Sequence, residues 1–336
     1  MNKKGIILGI ESSCDDTGVA ILKNGTELLS NKLASQIDFH REFGGVVPEI
    51  ASRKHLEIIN LLIDRALKEA GMGFKDIDAV AATKGPGLIG ALLVGICVSK
   101  TISFTYDIPF IGVNHLMGHI YANFLTYPEL KPPFIIMLVS GGHTEIILMK
   151  DYADYEVIGS TLDDAAGEAF DKGARVLGLN YPGGPSIQKE SQNGDELSIR
   201  FPQALKGKNN FNFSFSGLKT SLLYYMKENP DASICNAAAS YQYAVVNVIV
   251  EKVFNAARKN GINKILFAGG VAANNNLRIK AEEKAKKWGY RVYFPAVSEC
   301  TDNAAMIAKA GWYKYQNNLI EGLDCNVYPS LSVSEL

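Results

Sequence analysis

Short apolar runs alternate with longer amphipathic ones along the whole chain. Residues 6–10 and 19–22 are uniformly apolar and too short for helices, and a polar tip at 11–17 separates them. They are predicted as two strands around a tight turn. Residues 49–70 carry Ile50, His55, Ile58, Leu62 and Ala66 near helical spacing, the pattern of an amphipathic helix. A short strand is expected at 79–83. The longest apolar run, 88–106, follows Gly85-Pro86-Gly87 and contains Gly90, Gly95 and Lys100, so a buried core helix is expected there rather than a membrane span. A strand at 108–113 leads into a helix that opens with Asn114-His115. The second half begins as the first does: an apolar run at 134–139, a small polar tip at 140–144, and a second run at 145–149. Buried strands alternating with helices, in an order that recurs, predict an α/β chain with a duplicated architecture, two similar domains facing across a cleft.

Further on, 162–172 reads as a helix with acids at Asp164, Glu168 and Asp171, by default a solvated face. Gly167 and Gly173 lower helix propensity there and imply close packing. The stretch 180–212, with Pro182-Gly183-Gly184-Pro185, is the most loop-like. A strand at 264–267 runs into Ala268-Gly269-Gly270, followed by a helix at 277–288 and a strand at 290–294; Thr301-Asp302-Asn303 opens the last long helix.

Composition narrows the class. With 336 residues, 47% hydrophobic and 21% charged, the chain has the profile of a two-domain globular protein. A net charge of -1 leaves no global basic field, so a nucleic-acid partner must use local patches; Lys206, Lys208, Arg278, Lys280, Lys284, Lys286 and Lys287 are the candidates. Five scattered cysteines without a C-x-x-C pair favour free thiols in a reducing cytoplasm. Residues 1–5 are too short and polar for a signal peptide.

The chemistry concentrates in a few places. His115 and His119 stand at i and i+4, so on a helix both imidazoles point one way and can share a metal ion. A zinc protease would carry a glutamate between them as general base; Leu116, Met117 and Gly118 stand there instead. Asp302 can add an oxygen ligand suited to iron or zinc, or simply cap its helix. Three tips rich in small or hydroxyl residues, at 12–18, 140–142 and 268–270, let backbone N–H groups approach phosphate oxygens. Asp15 and Asp16 sit on the first tip, facing a metal or phosphate, or forming a turn. Asn276 can hydrogen-bond a ribose or base, though capping the following helix is the simpler expectation. No P-loop is present, and no G-x-G-x-x-G follows the first strand, so neither a P-loop enzyme nor a Rossmann dinucleotide site is expected.

Taken in order, 9–17 (Gly-Ile-Glu-Ser-Ser-Cys-Asp-Asp-Thr), 43–49, 85–88, the His115/His119 segment, 139–144 (Val-Ser-Gly-Gly-His-Thr), 181–185 and 268–274 (Ala-Gly-Gly-Val-Ala-Ala-Asn) resemble the universal tRNA threonylcarbamoyladenosine transferase family, TsaD, over essentially the whole chain. The resemblance implies the actin/Hsp70/sugar-kinase (ASKHA) fold, with one lobe of 1–131 plus 303–330 and another of 132–302. It implies transfer of a threonylcarbamoyl group from threonylcarbamoyl-adenylate to N6 of the adenosine 3′ of the anticodon, in tRNAs reading codons that begin with A. His115, His119 and Asp302 would hold one divalent metal, iron(II) or else zinc. Leu138, Val139, Ser140, Gly141, Gly142, Asp171, Gly184 and Asn276 would hold the adenylate, and Asp15 would lie near the reacting group. The bacterial family also implies two protein partners, the smaller paralogue TsaB and the ATPase TsaE, and no membrane. Residues 49–70 are the candidate helix for the paralogue unless their apolar stripe faces their own core.

Two departures matter. Leu138 stands where archaeal and eukaryotic relatives carry a metal-binding tyrosine, which together with His143 resembles the bacterial branch. Gln188 stands where relatives often have an acid, so a ribose contact there is not expected. The rival readings are an ATP-dependent small-molecule kinase of the same superfamily, which has no use for the histidine pair, a metalloprotease lacking its glutamate, and a noncatalytic scaffold.

Overall fold

The computed structural model describes residues 5–152 and 154–335. In chain order the elements are β1 (Ile6–Glu11), β2 (Asp16–Lys23), β3 (Glu27–Ser35), α1 (Ile37–Arg41), α2 (Pro48–Ala70), β4 (Ala79–Gly85), α3 (Ile89–Tyr106), β5 (Phe110–Asn114) and α4 (His115–Thr126). There follow β6 (Phe134–Val139), β7 (Thr144–Asp151), β8 (Asp154–Ser160), α5 (Ala166–Val176), α6 (Gly183–Glu190), α7 (Ser216–Glu228), α8 (Ile234–Lys259), β9 (Lys264–Ala268), α9 (Asn275–Trp288), β10 (Arg291–Tyr293), α10 (Val297–Cys300) and α11 (Ala304–Gln316). The chain divides into two compact units: residues up to Leu130 together with those from Thr301 on, and Lys131–Cys300. Asp302 therefore shares the first unit with both histidines, rather than closing the second as the boundary at 302 drawn from the sequence has it.

Each unit contains one five-stranded sheet of the same design. The first runs β3-β2-β1-β4-β5 and the second β8-β7-β6-β9-β10. In both, the first three strands form an antiparallel meander and the last two run parallel. β1, β4 and β6 are almost wholly buried, as strands covered on both faces must be, which is why they read as continuous apolar runs. In the first unit, α11 lies directly on the sheet. A Cβ on Gly9 would come within 2.6 Å of the Ala304 carbonyl oxygen, and one on Gly18 within 2.9 Å of the Ala304 nitrogen. Small residues on both surfaces bring the start of α11 down onto β1 and β2.

Several expectations are corrected. The stripe of α2 faces its own core: His55, Leu62 and Ala66 are buried, while Leu56 and Leu61 point outward. α3 is buried on one face only, through Ala91, Leu92, Gly95, Ile96, Ser99 and Ile102. Its Ile89, Leu93 and Phe104 are exposed, and Cys97 lies on the same side. The segment read as a helix from 162 begins helical structure only at Ala166, because Asp163 is drawn away to accept hydrogen bonds from the Phe215 and Ser216 amides, at 2.7 and 3.3 Å, at the start of α7. The tail beyond 330 belongs to the first unit. Val333 is fully buried, and Asn114 Nδ2 donates to the Ser332 carbonyl at 2.7 Å.

Candidate metal and nucleotide site

In the first unit, β5 runs straight into α4, whose N-cap is Asn114; its side-chain oxygen accepts the Leu116 amide at 2.9 Å. His115 and His119 fall on successive turns with ring centroids 4.7 Å apart. Gly118 between them lets α4 approach α11, since a Cβ there would lie 2.8 Å from Ile307 Cδ1. That approach sets Asp302, just before α11, against the histidines. Asp302 is not the cap: Asn303 accepts the Met306 amide at 3.0 Å and leaves the aspartate free to face the rings.

The three side chains bring their donor atoms together. His115 Nε2 lies 3.5 Å and His119 Nε2 3.2 Å from Asp302 Oδ1. The three donors lie within 4.8 Å of one another. Two ligands at about 2.1 Å from one tetrahedral ion stand roughly 3.4 Å apart, between these two values. His119 is 1% exposed, yet neither of its ring nitrogens makes an aligned hydrogen bond among the described residues. A buried imidazole left without partners beside a carboxylate fits a metal ligand. The group can hold a divalent ion.

The electrostatics agree. Burial opposes charge on His115, but the carboxylates of Asp302 and Glu11 outweigh it and raise the imidazole to about 9. Burial likewise pushes Asp302 up, and the two histidines outweigh it, bringing the carboxyl down to about 2. Asp15 is raised chiefly by burial and then by the charge of Asp302, so it lies within the field of the cluster. Burial and neighbouring carboxylates raise the Asp16 carboxyl to about 7. The Cys14 thiol on the same tip is raised so far, by burial first, that it is no nucleophile.

Glu11 and Thr83 escaped the reading of the sequence. Glu11 ends β1 fully buried, and Thr83 Oγ1 donates to its Oε2 at 2.6 Å. The signal was a charged residue closing an otherwise apolar strand, since glutamate is almost never fully buried without a partner.

The second unit gathers the other tips. The Ser140 amide is held by the His143 carbonyl at 2.8 Å, and the Gly167 amide of α5 donates to the Ser140 carbonyl at 3.1 Å. Gly167 fits only without a side chain, because its Cβ would lie 2.6 Å from the Ser140 oxygen. A Cβ on Gly269 would lie 2.4 Å from the Val139 oxygen, so the 268–270 turn joins the same place. Asp171 Oδ1 accepts the Gly183 amide at 2.7 Å, and Gln188 Oε1 accepts the Asn275 amide at 2.7 Å, tying α6 to α5 and α9. Cβ atoms on Gly141, Gly142, Gly184 or Gly270 would meet nothing within 4 Å, so these backbones line open space. Leu138 and Val139, at the end of β6, are fully buried. Asn276 does not cap α9. Asn274 does, accepting the Leu277 amide at 3.0 Å, and Asn276 Oδ1 is buried without a hydrogen bond among the described residues. Of the basic candidates, Arg278 is committed to the Ala272 and Pro295 carbonyls, each at 2.8 Å, Lys280 to Glu196 at 2.6 Å, and Lys284 to Glu251.

Two sheets of one design, with glycine tips beside open space and a His/His/Asp cluster able to hold a metal, define a duplicated α/β protein of the actin-like ASKHA fold class. Similarity to solved structures agrees. Full-length HypF in its phosphate- and nucleotide-bound form superposes with a TM-score of 0.63 at 17% identity, over 96% of this chain and 47% of its own. Component A of the Acidaminococcus fermentans (R)-2-hydroxyglutaryl-CoA dehydratase does so with 0.56 at 16% identity, over 94% of this chain and 99% of its own. The profile of the TsaD family, tRNA N6-adenosine threonylcarbamoyltransferase, matches residues 27–309. Curated relatives of that name are 55% identical in Kosmotoga olearia, over 98% of this chain and 99% of theirs, and 49% in Thermotoga neapolitana, over 97% and 99%. The chain belongs to the TsaD family.

The raised affinity of His115 for its proton predicts a pH effect on the metal-free protein. Its ion pair contributes fully below the ordinary 6.5 and is lost as the pH rises through about 9. The melting temperature of metal-free protein should fall across that window, and Asp302→Asn should flatten the fall. A melting temperature constant across the window would contradict the assignment.

Proposed function

We propose that this chain transfers the threonylcarbamoyl group of L-threonylcarbamoyl-adenylate to N6 of the adenosine 3′ of the anticodon, in tRNAs reading codons that begin with A. One observation carries the reading: a convergent His115/His119/Asp302 cluster in a chain that matches the family over nearly its whole length. The N6–carbonyl bond forms as the carbonyl–phosphate anhydride bond breaks; AMP leaves and N6 loses a proton. An iron(II) or zinc ion held by His115, His119 and Asp302 would polarise the donor's carbonyl or phosphate. Gly141 and Gly142 at the tip and the Gly270 turn would present N–H groups to the AMP phosphate in the space their missing side chains leave open. Asn276 Oδ1, buried and unpaired, would accept from a ribose hydroxyl. Asp171 would hold the Gly183–Gly184 turn in place through its bond to the Gly183 amide. Asp15, made more basic by burial and by the charge of Asp302, suits uptake of the N6 proton as a carboxylate. The kinase reading leaves the histidine cluster without a task.

Mass spectrometry of nucleosides from tRNA incubated with the protein and synthetic threonylcarbamoyl-adenylate should show the modified adenosine. His115→Ala with His119→Ala should abolish bound metal and lower the yield by more than the 10–100-fold typical of supporting residues. Full activity in a double variant without metal would remove the cluster from the reaction, and ATP-dependent phosphorylation of small acceptors instead would favour the kinase.

The tRNA backbone would meet Lys206 and Lys208, both exposed. They ride on a loop whose ends are held by Lys252 Nζ, which donates to the Leu205 carbonyl at 2.9 Å and the Asn210 carbonyl at 2.8 Å. Lys206→Ala with Lys208→Ala should weaken tRNA binding and flatten its log–log salt dependence by about 1–2 units. An unchanged slope would exclude the loop.

The paralogue TsaB would cover the outward stripe of α3, with the ATPase TsaE joining that assembly in the cytoplasm. A helix apolar all round is buried on both sides, and Ile89, Leu93 and Phe104 lack cover here. Leu93→Glu with Phe104→Glu should leave the chain folded alone and prevent a mixed dimer. Unfolding of the isolated variant would return the stripe to this chain's own core.

A further inference from the structure

We propose that Glu11 is the positioning residue that makes His115 a metal ligand through Nε2, by holding the proton of its Nδ1. The inference rests on the reading of His115, His119 and Asp302 as ligands, and concerns which ring nitrogen binds and what selects it.

The geometry allows one arrangement. His115 Nδ1 lies 3.2 Å from Glu11 Oε2 and 3.2 Å from Ser13 Oγ. Glu11 is fully buried, and its other contacts are all donors to it: the Ser13 amide to Oε1 at 2.5 Å and Thr83 Oγ1 to Oε2 at 2.6 Å. An ionised carboxylate can only accept, so an unprotonated Nδ1 would set lone pair against lone pair beside a fully buried Glu11. Nδ1 therefore carries hydrogen, and the free lone pair of the neutral ring is on Nε2. That nitrogen faces Asp302 Oδ1 at 3.5 Å, the direction of the cluster. A carboxylate behind a ligating histidine fixes its tautomer and orientation and strengthens it as a donor. Thr83, on the neighbouring strand β4, holds the carboxylate in turn. His119 has no such support among the described residues, neither nitrogen being hydrogen-bonded, so the two ligands are unequal by construction.

The test uses the full chain and zinc alone as an oxygen-stable probe. Affinities are read by chelator competition, and the ring nitrogens by two-bond proton–nitrogen NMR of the zinc-loaded protein. In the unaltered chain His115 should show a protonated, downfield Nδ1 and a zinc-bound Nε2. Glu11→Gln should weaken zinc binding about 10–100-fold and move the Nδ1 proton upfield. Thr83→Val, which keeps the charge and removes its support, should weaken binding about 2–10-fold and carries the test if Glu11→Gln does not fold. Zinc on Nδ1 of His115 would overturn the inference. So would unchanged affinity with an unmoved Nδ1 proton in Glu11→Gln, or unaltered binding in Thr83→Val where that variant must decide. His119→Ala separates the two readings: if it binds zinc as the unaltered chain does, the ligand assignment itself fails, whatever Glu11 does.

Discussion

A half-buried imidazole set between two carboxylates, Glu11 fully buried and Asp302 partly so, is the constraint around which the first unit is arranged. Glu11 comes from the end of β1, His115 from the start of α4 and Asp302 from the approach to α11. Removing such charges from water is costly unless each finds an opposite partner. With Glu11 and Asp302 ionised, the pocket carries two negative charges, and a proton on His115 balances one of them. A divalent ion balances both. The demand for a cation therefore follows from the strand and helix ends themselves, and the small contacts at Gly9, Gly18 and Gly118 are what allow those ends to meet.

The two units show how one architecture is divided between two tasks. Each sheet presents a hairpin tip after its first strand. In the first unit that tip carries Asp15 and Asp16 and lies in the field of Asp302. In the second it carries Ser140, Gly141 and Gly142, without a charge and with open space at both glycines. The first is built to attract cations. The second offers backbone donors, the complement of an anion. Repetition of the fold supplied the positions, and the side chains at the tips decided the chemistry.

Much of this was legible in the residues because it depends on local pattern. Uniform apolar runs marked β1, β5, β6 and β9, and the i, i+4 histidines fell on a helix as their spacing required. Other features depend on partners distant in the chain. β3 alternates half-buried and exposed positions as a sheet edge, so its polar content hid it. Neither Asp302 nor Asn276 is the cap its position suggests, because Asn303 and Asn274 take that work. The inward stripe of α2 and the outward stripe of α3 are equally apolar in sequence; only packing tells which is covered. Glu11 was overlooked because a buried charge is recognised by its partners Thr83 and His115, which lie far along the chain.

The split of the first unit has a consequence for how the protein comes into being. Its histidines are made early, but Asp302 and the tail that grips Asn114 follow the entire second unit. During synthesis domains fold as they emerge, the earlier before the later. The Lys131–Cys300 unit is contiguous and can mature on the ribosome while its companion still lacks a helix. The His115/His119/Asp302 cluster is thus among the last features to take shape, and a chain that stops short of Asp302 is left with the two histidines and no carboxylate from the approach to α11.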